Sequence, residues 1–174
     1  MDIETRKYIN LLAERILEDF DVAPPIDNIE NVVKVLGGTV EMMQASNGWI
    51  GIDGEIRKNG KNSFVIEVSP FQNEHRKKFT IAHELGHLFL HMGYMTNEVL
   101  WDKQTEAFHR EGISEQESQA NEFAAAFLMP QKLYKQVLDQ NTKGNTVDIL
   151  KVAEWFKVSI SAAINRGKFL GYLA

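Results

Sequence analysis

Between Asn73 and Met92 the chain is apolar on nearly every side of a helical wheel. Phe79, Ile81, Ala82, Leu85, Leu88, Phe89 and Leu90 recur at helical spacing. A helix of that kind must be buried, so the rest of the molecule has to be built around it. Yet His83, Glu84 and His87 fall inside the same segment. Two imidazoles and a carboxyl group are costly to bury without partners. The sequence His83-Glu84-Leu85-Gly86-His87 therefore asks for a ligand as well as a core.

Histidines four residues apart point from one helical face, separated by only about 40° of rotation, so both rings can reach one ion. Glu84 is turned about 100° from His83, close enough to act on a water without holding the metal itself. This spacing is that of a zinc site with a general base. By chance it occurs in on the order of one chain in a few hundred of this length, so its place on a buried helix carries much of its weight. The chain has no cysteine, so a metal must be held by histidine and carboxylate, and no disulfide framework is possible. His91 lies eight residues beyond His83, about 12 Å along the axis, too far to share one ion. It is expected to support the site from outside or to lie at the surface.

A third ligand must come from another element, and the helix expected from Ser114 to Met129 is the best source. With Glu117 as angular zero, Ala120, Phe123, Ala124, Phe127 and Leu128 centre near roughly 300°. Glu117 and Asn121, at zero and about 40°, border that stripe, whereas Glu115 and Glu122 are expected on the opposite side. A carboxylate at the edge of a core-facing stripe suits a metal. The competing reading is a capping box, Ser114-Glu115-Gln116-Glu117, in which Glu117 folds back onto its own helix start. If Glu117 is a ligand, Asn121 one turn later can receive the outer N–H of a ligating histidine.

The spacing of Glu117 and Asn121 downstream of HExxH resembles that in the glutamate-ligand zinc peptidases typified by thermolysin, which have aspartate at the second position. Residues 76–88, RKKFTIAHELGHL, and 117–130, ESQANEFAAAFLMP, more closely resemble the ImmA/IrrE metallopeptidases. Those proteins carry R-x-R-F-T-x-A-H-E-L-G-H and E-x-E-A-N-x-F-A-A-x-L-L-M-P in the same order. The resemblance is specific in these two blocks and extends, as an order of elements, over roughly residues 30–170. It implies zinc, one ion per chain, held by His83, His87 and Glu117, with Glu84 as catalytic base. Lys78, Gln119 and Phe127 stand where the family commonly has arginine, glutamate and leucine, and none of these departures removes a ligand. Members of the family cleave helix-turn-helix repressors of prophages and mobile elements or act in stress responses, which implies a regulatory protein as substrate.

The remaining pattern predicts an α+β, mostly helical, zincin-like fold in a single domain, residues 1–174. A helix is expected over 4–19, then a break at Pro24-Pro25. A second helix, capped by Asp27 or Asn28, should run through Leu36 to the stop at Gly37-Gly38. From Thr39 to Ser69 the period shortens. Val40 and Met42, then Trp49, Ile50 and Ile52, then Phe64, Ile66 and Val68 are parted by Asn47-Gly48, Asp53-Gly54 and Asn59-Gly60. This predicts a small antiparallel sheet of about three strands. Residues 93–113 read as a loop or lid with one short helix, and Pro130 as the start of a new helix.

Residues 145–174 read as a helical pair with a break at Phe156-Lys157-Val158-Ser159, similar to a DNA-binding helix-turn-helix. Its second helix has only Arg166 and Lys168 as basic residues, both late, and no early Asn or Gln to read bases. Two helices that close the core are the better reading. The net charge of −5 also argues against direct nucleic-acid binding.

These readings converge on a zinc endopeptidase that hydrolyses a bond in a helix-turn-helix repressor. Two alternatives are a metal-containing protein that sequesters a repressor uncut and a DNA-binding regulator. Intact Glu84 favours the first, because a structural site needs no base. No signal peptide or spanning segment is legible, so the expected location is the cytoplasm, without a membrane partner. An edge strand, Gly48–Ile52 or Phe64–Val68, could align an extended substrate. His75, Tyr94, His109 and Arg166 are candidates for stabilising the oxyanion.

Overall fold

The computed structural model describes residues 1–44, 53–104 and 115–174, together with the backbone but not the side chain of Ser114. The expected strand at Trp49–Ile52, the Asn47-Gly48 turn, His109 and the later part of the 93–113 segment lie outside the described residues.

Helix α1 (Ile3–Asp19) starts where the Asp2 carboxylate accepts from the Thr5 N–H, one of the donors that a helix start leaves unpaired. It buries Ile9, Ala13, Ile16 and Leu17. Of the two proposed caps for α2 (Ile29–Val35), Asn28 performs the role, accepting from the Asn31 N–H. The central helix α3 (Glu74–Leu90) is capped by Asn73 and buries Ile81, Ala82, Leu85, Leu88 and Phe89, as its wheel requires. The expected short helix after it is α4 (Glu98–Lys103), anchored by buried Trp101. Helices α5 (Ser114–Leu128) and α6 (Gln131–Gln140) follow, parted at Pro130.

The sheet differs from expectation in two respects. Strands β1 (Gly38–Met42), β2 (Gly54–Lys58) and β3 (Phe64–Val68) lie in the order β1-β3-β2. The β2–β3 pair is antiparallel and the β1–β3 pair parallel, so the sheet is mixed. Phe64–Val68 is consequently the central strand and no edge on which a substrate could add. Asp53-Gly54, read as a turn, instead opens β2, with Gly54 opposite Val68. Its glycine serves a close approach: a Cβ there would stand 2.5 Å from Thr80 Cγ2 and 3.1 Å from Glu84 Oε1.

A two-strand ribbon, β4 (Thr142–Lys143) with β5 (Thr146–Val147), was not legible, because two residues show no period. The C-terminal pair is α7 (Ile149–Phe156) and α8 (Ile160–Phe169). Lys157 adopts a left-handed conformation between them, and Ser159 caps α8 by accepting from the Ala162 N–H. Lys78 of α3, itself buried, donates to the carbonyls of Phe156 and Lys157 at the end of α7. The pair is thereby fastened to the central helix.

The face of α5 opposite the expected core stripe is also covered. Glu122, predicted to face away from the core, is buried against the guanidinium of Arg166, whose Nη1 donates to Glu122 Oε1 at 3.0 Å. Arg166 also donates to the Met129 carbonyl and to Asn10 Oδ1. One charged cluster thus joins α1, α5 and α8. A helical wheel of α5 alone has no information about a second layer packed on its far side.

Candidate metal centre

Gly86 sets how closely the two site-bearing helices approach. A Cβ at this position would meet Ala120 Cα at 2.9 Å and the Ala120 carbonyl oxygen at 3.0 Å. Only glycine lets α3 and α5 pack at this separation, and the approach brings Glu117 over the histidine face.

There, His83 Nε2 lies 3.1 Å from His87 Nε2 and 3.1 Å from Glu117 Oε2. His87 Nε2 is 3.3 Å from Glu117 Oε1. Bonds of about 2.0–2.1 Å at tetrahedral angles put ligand atoms about 3.3 Å apart, so the spacing suits one small ion. Among the described residues, this is the group of three His, Cys, Asp or Glu side chains able to hold a metal. Glu117 is turned to the histidines.

Hydrogen bonding on the outer side of the rings supports the same conclusion. His83 Nδ1 lies 3.0 Å from Asn121 Oδ1, which can only accept. A neutral His83 would therefore carry its proton on Nδ1 and turn its Nε2 lone pair to Glu117. His91 Nε2 lies 3.0 Å from Gln119 Oε1, again an acceptor, so His91 is protonated on Nε2. Its Nδ1 must then accept from His87 Nδ1, 3.0 Å away, and His87 also presents a lone pair inward. With both rings neutral, two lone pairs and a carboxylate facing one another within 3.3 Å repel, and a proton or a metal ion between them removes the repulsion. Burial pushes the His91 pKa down, opposed by the Gln119 hydrogen bond and by Glu117.

His91, removed as a ligand by distance, thus touches a proposed ligand from behind. Gln119 was not singled out for a site role; its signal was its place between Glu117 and Asn121. Glu84 is 1% exposed and lines a cleft of about 1080 Å³ with His83, Glu117 and Asn121. At the mouth Arg76 pairs with Asp53 and holds its carboxyl below the usual carboxylate range. Beyond Phe79 the cleft continues to Ala162, Asn165 and Phe169 of α8.

Among the oxyanion candidates, His75 is exposed and lines the cleft. Tyr94 does not serve, because its hydroxyl is buried against the carbonyls of Leu36 and Asn62. Arg166 reaches the cleft wall, but its guanidinium is committed to Glu122, Asn10 and Met129.

Known proteins are similar in sequence motif and in fold. No curated protein matches the chain. A solved Mycobacterium tuberculosis transcriptional regulator has a similar fold, with a TM-score of 0.61 at 18% identity. The similarity covers 94% of this chain and 50% of that regulator, so the chain spans half the length of its structural relative. The profile of the IrrE N-terminal-like domain, Peptidase_M78, matches residues 51–168, a span that contains both site-bearing helices. The chain belongs to this family of IrrE N-terminal-like peptidase domains.

Proposed function

We propose that the chain is a zinc endopeptidase that cuts a regulatory protein, a helix-turn-helix repressor in particular. The observation that carries this reading is the convergence of His83 Nε2, His87 Nε2 and the Glu117 carboxylate beside a buried Glu84 at an open cleft. Zinc, when bound, would supply a Lewis acid that polarises a carbonyl oxygen and brings the pKa of water to roughly 7. Glu84 takes the proton from the attacking water and delivers it to the departing amine nitrogen. His83 and His87 are held in the required tautomers by Asn121 and His91. The substrate segment would lie in the cleft that Glu84 lines with His83, Glu117 and Asn121.

A regulatory substrate is supported by the family resemblance. The DNA-binding alternative loses its main basic residue, since Arg166 is bound inside the molecule. The test is co-expression with candidate repressors followed by mass analysis of fragments, using the parent chain and Glu84→Gln. The parent should carry about one zinc and produce discrete fragments, and the variant should keep its zinc and lose about 10²–10⁴-fold in cleavage rate. Repressor inactivation by Glu84→Gln without cleavage would establish sequestration instead. A parent chain without metal would overturn the proposal.

A further inference from the structure

Behind His87 the structure has an arrangement that the peptidase reading does not by itself require. The outer nitrogen of a metal-ligating histidine usually donates to a carboxylate, a backbone carbonyl or water. Here the acceptor is another imidazole, His91, 3.0 Å away, which is in turn held by Gln119 Oε1 at 3.0 Å. The three residues come from α3, its C-cap and α5, and both links are between side chains. His87 is 1% exposed and His91 half-buried.

We infer that His91 and Gln119 are positioning residues for the metal centre, a relay Gln119–His91–His87 that fixes the tautomer and ring plane of His87. The inference rests on the metal reading above. Gln119 Oε1 accepts the Nε2 proton of His91, leaving its Nδ1 lone pair directed at His87. His87 must then keep its proton on Nδ1 and turn Nε2 toward the ion. His83 is fixed independently by Asn121, so each proposed histidine ligand has its own support from α5, direct for His83 and through His91 for His87. A carboxylate in either place would add negative charge beside the ion, which an amide or an uncharged imidazole does not.

The test is zinc affinity of the purified chain, measured by competition with a chromophoric chelator, with the urea midpoint of the metal-free protein as a control on folding. His91→Leu removes the acceptor and should weaken zinc binding about 10–100-fold, as loss of outer partners of metal ligands generally does. His91→Asn places an amide oxygen near the position of Nδ1 and should restore most of the affinity, which recovery of packing alone would not explain. Gln119→Leu should weaken binding less than His91→Leu, and the double variant should be no weaker than His91→Leu alone, because Gln119 acts only through the imidazole. Affinity of His91→Leu within about twofold of the parent would overturn the relay. So would a His91→Asn variant as weak as the leucine one, or losses that multiply in the double variant. If His91→Leu does not fold, His91→Asn must bind near the parent level and Gln119→Leu must weaken binding for the relay to stand. A parent chain that binds zinc while the variants bind equally well defeats the relay alone. A parent that binds none defeats the centre itself.

Discussion

Asn121 and Glu117 lie one turn apart on α5 and meet different nitrogens of the same histidine. Asn121 Oδ1 accepts from Nδ1, so Asn121→Ala should allow His83 to change tautomer and weaken zinc binding about 10–100-fold. Asn121→Asp, which restores the acceptor, should bind zinc at least as tightly as the parent. Chelator competition checks both, and an alanine variant with parental affinity would remove Asn121 from the site. The residue scale also explains why sequence reading kept two roles for Glu117. A capping glutamate and a ligating glutamate occupy the same place at a helix start, and only the position of α3 distinguishes them.

At the scale of elements, the decisive contact is glycine against alanine between α3 and α5. Replacing Gly86 by alanine gains roughly 1 kcal/mol of helix propensity. However, its Cβ would press on the Ala120 backbone at 2.9 and 3.0 Å, which cannot rotate away. The clash outweighs the gain, and Gly86→Ala should destabilise the fold by about 1–3 kcal/mol, as overpacking does. Because the helices must separate, zinc affinity should fall as well. Urea denaturation and chelator competition on the same preparation measure the two effects, and a stabilised variant with parental affinity would refute the close-packing account. Gly54 is a comparable case for β2, where the glycine admits Glu84.

Across the whole molecule, the buried Glu122–Arg166 pair and buried Lys78 join distant elements. Glu122→Ala leaves the Arg166 guanidinium without its counter-ion and should cost about 3–5 kcal/mol by urea denaturation. A loss below 1 kcal/mol would show that the cluster is not stabilising. Lys78 supplies a pH dependence. Burial, with a smaller contribution from Lys157, lowers its pKa from 10.5 to about 8, while Asp27 opposes the shift. Between those values the unfolded chain binds the proton more readily than the folded one, so stability rises with pH through that window. Below about 8 both states are protonated and the penalty is complete. Burial raises Tyr94 and Tyr134 in the opposite sense, which limits the gain above pH 10. Urea midpoints should therefore rise from pH 7.5 to 9.5 in the parent and stay flat over that range in Lys78→Met.

Periodicity and local chemistry determined a large part of this protein. The apolar wheel of residues 73–92 required a buried central helix, HExxH placed two imidazoles on one face, and helical rise excluded His91 as a ligand. Asn28, Asn73 and Ser159 were legible or partly legible as boundaries, because capping depends on neighbours in sequence. What the tertiary structure decided depends on partners far along the chain. It turned Glu117 to the histidines through the approach at Gly86, made Phe64–Val68 a central strand, and opened β2 at Gly54. It also covered both faces of α5, so that Glu122 met Arg166 forty-four residues away. A helical wheel describes one cylinder and identifies what is apolar on it. Which polar edge faces a ligand, and which faces another helix, is settled only when the cylinders pack.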